Sequence, residues 1–74
     1  MNLSEAVRLR ILQLCEQNHI TINGLAMLSG ISQSTVNSII DGTSKNPTLL
    51  TILRICLGLQ IELKDFFDDE VFLI

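Results

Sequence analysis

The sequence predicts an all-α fold, a bundle of five short helices. Apolar residues recur at helical spacing in several segments, and a residue suited to cap a helix precedes most of them. Hydrophobic residues make up 47% of the chain but only three are aromatic, so we expect a core rich in leucine and isoleucine. Short connections favour one bundle of neighbouring helices. The length of 74 residues predicts one domain, residues 1–74, near the smallest size that sustains its own core.

The first helix is predicted at about residues 4–18. Ser4 can cap its N-terminus, and Glu5 lies at the end of the helix dipole that favours negative charge. One apolar stripe marks its core face: Val7, Ile11, Leu14 and Cys15. Asn18 and His19 should then turn the chain, because both residue types tolerate unusual turn conformations, Asn more readily.

A helix-turn-helix arrangement is predicted next. Thr21 should cap the second helix at about 22–29, and Ser32 the third at about 33–41. Gly30 lies between them, where a helix ends in a left-handed residue that glycine adopts without strain. One face of the third helix is apolar: Val36, Ile39 and Ile40. The other face is polar but carries no charge: Gln33, Ser34, Asn37 and Ser38.

Two further helices complete the predicted bundle. Gly42 closes the third helix, and the polar loop 43–47 follows. The proline that ends this loop disfavours helix at the residue before it, so Thr48 should cap a fourth helix at about 49–59. The predicted core residues of that helix are Leu49, Ile52, Cys56 and Leu59. A short fifth helix is predicted at about 63–68.

Apolar residues also occur on helix faces that should point away from the core. They are Leu9 and Leu12 in the first helix and Leu50, Leu53 and Leu57 in the fourth. The tail adds four consecutive apolar residues at 71–74. A small monomer should not leave all these groups in water. Either the tail, residues 68–74, folds back over them or a second subunit covers them, and both can occur together. We predict a homodimer with an interface that contains Leu50, Leu53, Leu57, Phe72 and Ile74.

Other classes of protein are excluded or not expected. No run of 18 apolar residues occurs, which excludes a transmembrane span, and residues 1–5 lack the features of a signal peptide, so we expect a cytoplasmic location. Cys15 and Cys56 fall on predicted core faces without metal-ligand spacing, so we expect buried reduced thiols and no metal site. No catalytic triad, carboxylate pair or glycine-rich phosphate loop is visible. We expect no enzymatic activity, no cofactor and no small-molecule ligand.

Residues 22–41 resemble the helix-turn-helix of the Cro/C1-type (xenobiotic-response-element) family of bacterial and phage transcription regulators. The resemblance rests on Ala26, Gly30, Val36 and Ile39 at their spacings. Similar residues recur at Ile20-Thr21, Asp41-Gly42, Pro47-Thr48-Leu49 and Leu63-Lys64-Asp65-Phe66-Phe67, so the resemblance covers about residues 5–67. It implies a five-helix, lambda-repressor-like domain that binds double-stranded DNA.

The resemblance implies two kinds of DNA contact. Base edges would be read by Gln33, Ser34, Asn37 and Ser38, since amide and hydroxyl groups can donate and accept hydrogen bonds in the major groove. The phosphate backbone would be contacted by Thr21, Asn23, Thr35, Thr43, Lys45 and Asn46, helped by the N-termini of helices two and three. The alternative is that these residues form an ordinary solvated helix face and loop.

Four positions depart from the family pattern. Many members pair an arginine late in helix one with a glutamate near the end of helix three, and here those positions are Cys15 and Ile40. Joint replacement by apolar groups need not reduce stability, because no ion is desolvated. Ile22 stands where the family usually has a glutamine that contacts the DNA backbone, so that hydrogen bond is lost. Gln60 replaces a common glycine after helix four, which should weaken the helix stop slightly.

The charge distribution leaves two functions open. The net charge is −3, with five acidic residues against one basic residue in 62–74 and four basic against three acidic in 1–61. An excess of one basic residue in 1–61 attracts phosphate only weakly. We therefore expect a single chain to bind DNA weakly and to need a dimer for useful affinity. The first interpretation is a homodimeric regulator on an inverted repeat, more often a repressor than an activator. The second is a protein-interaction module that binds another regulator or a toxin, with weak DNA binding or none.

Overall fold

A computed structural model describes residues 2–73, which form six helical elements and no β-strand within that range. The elements are α1 (Leu3–Gln17), α2 (Ile22–Ser29), α3 (Gln33–Ile40), α4 (Leu49–Leu59), α5 (Leu63–Phe67) and a short 3-10 helix, η1 (Glu70–Phe72). The prediction of an all-α, five-helix fold is confirmed, and the helix ends lie within about one residue of the predicted ones. No helix in this range is long and apolar enough to cross a membrane.

Side-chain caps fix where the helices begin. Three predicted caps are confirmed, since each hydroxyl oxygen accepts the backbone N–H three residues ahead at 3.0–3.2 Å: Thr21, Ser32 and Thr48. The prediction of Ser4 as the cap of α1 was wrong. Asn2 Oδ1 accepts the Glu5 N–H at 2.9 Å and also the Ser4 hydroxyl at 2.8 Å. Because this amide oxygen precedes Ser4, α1 begins earlier and Ser4 lies inside it.

Four residues with positive φ end helices or turn the chain: His19 (55°), Gly30 (67°), Gln60 (60°) and Gly42 (84°). Glycine adopts this conformation without strain, whereas His19 and Gln60 carry a Cβ that opposes it. In the turn after α1 the left-handed residue is His19 rather than Asn18. The Asn18 amide instead donates to the Leu14 carbonyl at 2.8 Å, which holds Asn18 at the end of the helix.

The core lies between α1, α2, α3, α4 and α5 and contains mainly aliphatic side chains. Its buried members are Val7, Ile11, Leu14, Cys15, Leu25, Ala26, Val36, Ile39, Ile52, Ile55, Cys56 and Phe66. All four residues predicted for α1 are among them. In α4, Leu59 is half-buried against this core, but the prediction for Leu49 was wrong because it begins the helix at the edge of the bundle and is 73% exposed. Ile55, on the same face as Ile52, is buried in its place.

The C-terminal segment folds back over α1 through a buried arginine. Arg10 is only 7% exposed. Its Nε donates to the Phe66 carbonyl at 2.7 Å and its Nη2 to the Asp65 carbonyl at 2.6 Å, so the guanidinium binds backbone carbonyls at the end of α5. Its Nη1 lies 3.4 Å from Asp69 Oδ2. Phe72 of η1 packs against the core and the rings of Phe66 and Phe67, so the tail covers part of the apolar surface.

A glycine in α4 sets the distance between α4 and α2. A Cβ at Gly58 would lie 2.8 Å from the Leu28 carbonyl and 2.9 Å from Ser29 Oγ, closer than such atoms approach. Gly58 therefore lets α4 pack directly on the backbone at the end of α2. This contact positions the helix-turn-helix against α4, because α3 follows α2 after a turn at Gly30.

Candidate nucleic-acid interface

The outward face of α3 consists of uncharged polar side chains. Gln33, Ser34 and Asn37 are exposed and Ser38 is half-buried, while Val36 and Ile39 are buried on the opposite face. The structure therefore brings the four predicted base-reading residues to the outer side of one short helix. Amide side chains there can pair with adenine, and hydroxyl groups can pair with several base edges.

The first turn of α3 presents hydroxyl and amide groups together. Ser32 Oγ lies 2.7 Å from Thr35 Oγ1 and 3.2 Å from Ser34 Oγ, and it accepts the Thr35 N–H. The N–H groups of Gln33 and Ser34 precede the first hydrogen bond within the helix and are free for a ligand. Such a helix start favours an anion.

The start of α2 is built in the same way. Thr21 and Asn23 are exposed, and Thr21 Oγ1 accepts the Gly24 N–H at 3.0 Å. Ile22 is half-buried and packs against the core, so this helix start has lost a polar group there. Two predicted phosphate contacts, Thr21 and Asn23, therefore remain available at this end of α2.

The loop after α3 is tied to the end of that helix. Asp41 Oδ1 accepts the Thr43 N–H at 2.8 Å, and the Ser44 N–H donates to the Ser38 carbonyl at 2.9 Å. Hydrogen bonds from the Thr43 hydroxyl and N–H hold the pKa of Asp41 below its usual value. Thr43, Lys45 and Asn46 are all exposed in this loop. Its polar side chains are thus held beside the C-terminal end of α3.

The structure changes the charge balance read from the sequence. Arg10 counts among the basic residues of 1–61, but its guanidinium is buried against Asp65, Phe66 and Asp69 of the acidic segment and cannot contact DNA. Within residues 2–73, ion pairs join Arg10 to Asp69 and Lys64 to Glu62. The basic side chains of this range outside any ion pair are Arg8, Lys45 and Arg54.

The predicted dimer residues divide into three groups. Leu50, Leu53 and Leu57 lie on one face of α4 and are 56%, 36% and 66% exposed. Phe72 is half-buried against its own chain, which leaves only part of its surface for a partner. Ile74 lies outside the described residues. The leucine face of α4 is therefore the available part of the predicted interface.

The cysteines and the replaced ion-pair positions belong to the core. Cys15 and Cys56 are buried free thiols, and burial raises the pKa of both. Ile40 packs beside this core, so the two positions where the family carries an ion pair are apolar here. Among residues 2–73, no group of three His, Cys, Asp or Glu side chains could hold a metal ion.

Sequence reasoning missed two residues that shape the interface. Gly58 positions α2, and its signal was a glycine inside a helical segment. The burial of Arg10 had no local signal, because its partners are backbone carbonyls far along the chain.

Comparisons with known proteins agree with this geometry. The family model for the Cro/C1-type HTH DNA-binding domain matches residues 10–71. A solved structure, described as the crystal structure of the prophage Lp1 protein 11, is similar with a TM-score of 0.84 and 42% sequence identity, covering 93% of this chain and 91% of that one. None of the curated proteins matches the chain. On the extent of the family match, this chain belongs to the Cro/C1-type helix-turn-helix DNA-binding domains.

Proposed function

We propose that the chain is a sequence-specific transcription regulator that places α3 in the major groove of DNA. The observation that carries this proposal is the exposed face of α3, where amides and hydroxyls stand without a charged residue. A helix that served only solubility would carry lysine and glutamate on such a face. Uncharged donors and acceptors can instead discriminate base pairs by their hydrogen-bond pattern.

The dimensions of α3 suit this role. An α-helix with its side chains is about 10–12 Å across, which fits the major groove, about 12 Å wide. Gln33 lies in the first turn, and Asn37 lies one turn later, about 6 Å along the axis. Two amide side chains at this spacing can reach neighbouring base pairs on one side of the groove.

Backbone contacts would orient the helix. Thr21 and Asn23 at the start of α2, and Thr35 beside the start of α3, can donate to phosphate oxygens together with the free N–H groups of these turns. Thr43, Lys45 and Asn46 would contact phosphate from the loop at the other end of α3. Because Lys45 is the single cation in this set, we propose modest affinity for one chain.

The proposed functional unit is a homodimer that joins the leucine faces of α4. Two-fold symmetry would separate the two copies of α3 by about 34 Å, one turn of DNA, so the site would be an inverted repeat. Occupying such a site within a promoter blocks transcription, and repression is therefore the proposed outcome. The proposed location is the bacterial cytoplasm, where the DNA is.

A protein-interaction module is the second candidate, and the burial of Arg10 favours it. Arg10 leaves residues 1–61 with equal numbers of acidic residues and available basic residues. The leucine face of α4 would then bind a different regulator or a toxin.

Two measurements separate the candidates. A DNA-binding regulator should be retained on heparin at low salt and should shift a random duplex, whereas an interaction module should do neither. Selection of bound sequences from a random duplex pool should then yield an inverted repeat. A pool that stays random after several rounds, although the protein binds duplex DNA, would refute sequence-specific reading.

A further inference from the structure

An open cleft of about 430 Å³ lies between the N-terminal part of α1 and the loop after α3. Arg8 of α1 and Lys45 of the loop both line it. Ile39 and Ile40 also line it, so it adjoins the C-terminal end of α3. The chain thus brings two basic side chains from distant parts of the sequence to one place beside the candidate interface.

Neither cation has an acidic partner within residues 2–73. The ion pairs of that range involve Arg10 and Lys64, and not Arg8 or Lys45. Arg8 is half-buried, so its stem is held by packing and loses less freedom when a ligand binds. A guanidinium also offers two parallel N–H donors that match a phosphate group.

Two carboxylates share the cleft and limit what it can bind. Glu5 and Asp41 line it as well, so its two positive and two negative charges balance. The Asp41 carboxylate already accepts the Thr43 N–H, which directs it to its own turn. Because these charges balance, the cleft attracts a free anion only weakly. It can still bind a DNA phosphate when other contacts hold the duplex against the protein.

We propose that this cleft receives a phosphate of the DNA backbone, with Arg8 and Lys45 as the donors. This makes α1 part of the DNA interface and adds Arg8 to the contacts from α2, α3 and the loop. The inference rests on the proposed DNA-binding function. It also assigns a role to Glu5, which opposes the phosphate and weakens binding.

The test is a salt titration of the full chain on a short fluorescent duplex of random sequence, followed by anisotropy. The slope of log K against log salt is negative, and Arg8→Gln should make it less steep by about 0.9 for each bound chain. Arg54→Gln removes the same charge from α4, outside the cleft, and should leave the slope nearly unchanged. Arg8→Lys should keep most of the slope.

Glu5 provides an independent test with the opposite sign. Glu5→Gln should strengthen binding several-fold at low salt, whereas Glu16→Gln, an exposed residue of α1 outside the cleft, should have little effect. This arm remains informative even where Arg8→Gln fails to fold, as judged by thermal melting.

Three outcomes would overturn the inference. Equal slope changes for Arg8→Gln and Arg54→Gln would mean a general charge effect, and an unchanged slope for Arg8→Gln or unchanged binding for Glu5→Gln would place the cleft away from the DNA. If any of these outcomes occurred while the wild-type chain still bound a selected DNA sequence, the proposed DNA-binding function would be unaffected. Failure of the wild-type chain to bind any duplex at low salt would overturn both.

Discussion

Replacing Arg10 by methionine tests the contact that holds the C-terminal segment on α1. Methionine keeps an apolar stem of similar length but removes the donors to the Phe66 and Asp65 carbonyls, which lie 2.7 and 2.6 Å from the guanidinium. Each charge-assisted hydrogen bond contributes about 1.5–3 kcal/mol. The Asp69 contact, at 3.4 Å and partly exposed, should add little. We therefore expect a loss of about 3–5 kcal/mol in the free energy of unfolding.

This loss is large for a chain of this size. Small domains have a free energy of unfolding of about 5–15 kcal/mol in total, and each kcal/mol shifts the melting temperature by about 4–8 °C, so Arg10→Met should lower it by about 12–40 °C. Urea unfolding followed by circular dichroism measures the change, with Arg54→Met as a control at an exposed arginine. Asp69→Asn should cost far less than Arg10→Met, because this contact is long and partly exposed. A loss for Arg10→Met no larger than that of the Arg54 control would refute this account of the buried guanidinium.

Three further predictions concern the interface and the core. Gln33→Ala should cost about 1–3 kcal/mol on a selected site and little on random DNA, measured by anisotropy, and equal losses would show that Gln33 does not read bases. Lys45→Ala should weaken binding to all sequences alike and lower the salt slope by about 0.9 for each chain, whereas an unchanged slope would place the loop off the phosphates. Ile40→Glu should lower the free energy of unfolding by about 2 kcal/mol, measured by urea unfolding, because its carboxylate would lie beside an apolar core. Adding Cys15→Arg should restore part of this loss. A double variant no more stable than Ile40→Glu would show that the two positions do not pair.

The helix boundaries were predictable because their signals are local. Thr21, Ser32 and Thr48 each cap a backbone N–H only three residues away, so the sequence contains both partners of the contact. The polar face of α3 was predictable for the same reason, since helical spacing alone places Ser34 and Ile39 on different faces. The error at α1 was also local, because Asn2 and Ser4 are both good caps and the earlier one accepts the hydrogen bond.

The features that sequence reasoning missed depend on contacts between distant segments. Nothing near Arg10 distinguishes a buried guanidinium from a solvated one, because its acceptors are backbone carbonyls of α5. Leu49 has the right helical angle for the core but begins α4 at its edge, which spacing does not reveal. The approach of Arg8 to Lys45 likewise depends on how α1 lies against the loop after α3.

The leucine face of α4 raises the question of how tight a dimer can be. Leu50, Leu53 and Leu57 are 56%, 36% and 66% exposed, so burying what remains gains about 1–2 kcal/mol for each. Six such leucines in a dimer contribute about 6–12 kcal/mol, while association costs about 4–15 kcal/mol. The leucines alone therefore roughly balance that cost. A stable dimer needs neighbouring apolar groups in the same interface, and Leu63 and Phe67 of α5 are both partly exposed.

Leu53→Glu tests whether this face joins two chains. Leu53 lies between Leu50 and Leu57 along the face. In a two-fold interface the carboxylate of each chain would therefore be buried away from water, which is costly. We expect a folded monomer with much weaker DNA binding, because each chain then carries a single α3. Gln17→Glu, at an exposed position at the end of α1, adds the same charge outside α4 and is the control. Light scattering should give the wild type near twice the chain mass of 8.2 kDa and the Leu53 variant near that mass. A wild-type mass near 8.2 kDa at micromolar concentration would contradict the dimer and leave the leucine face to a different partner.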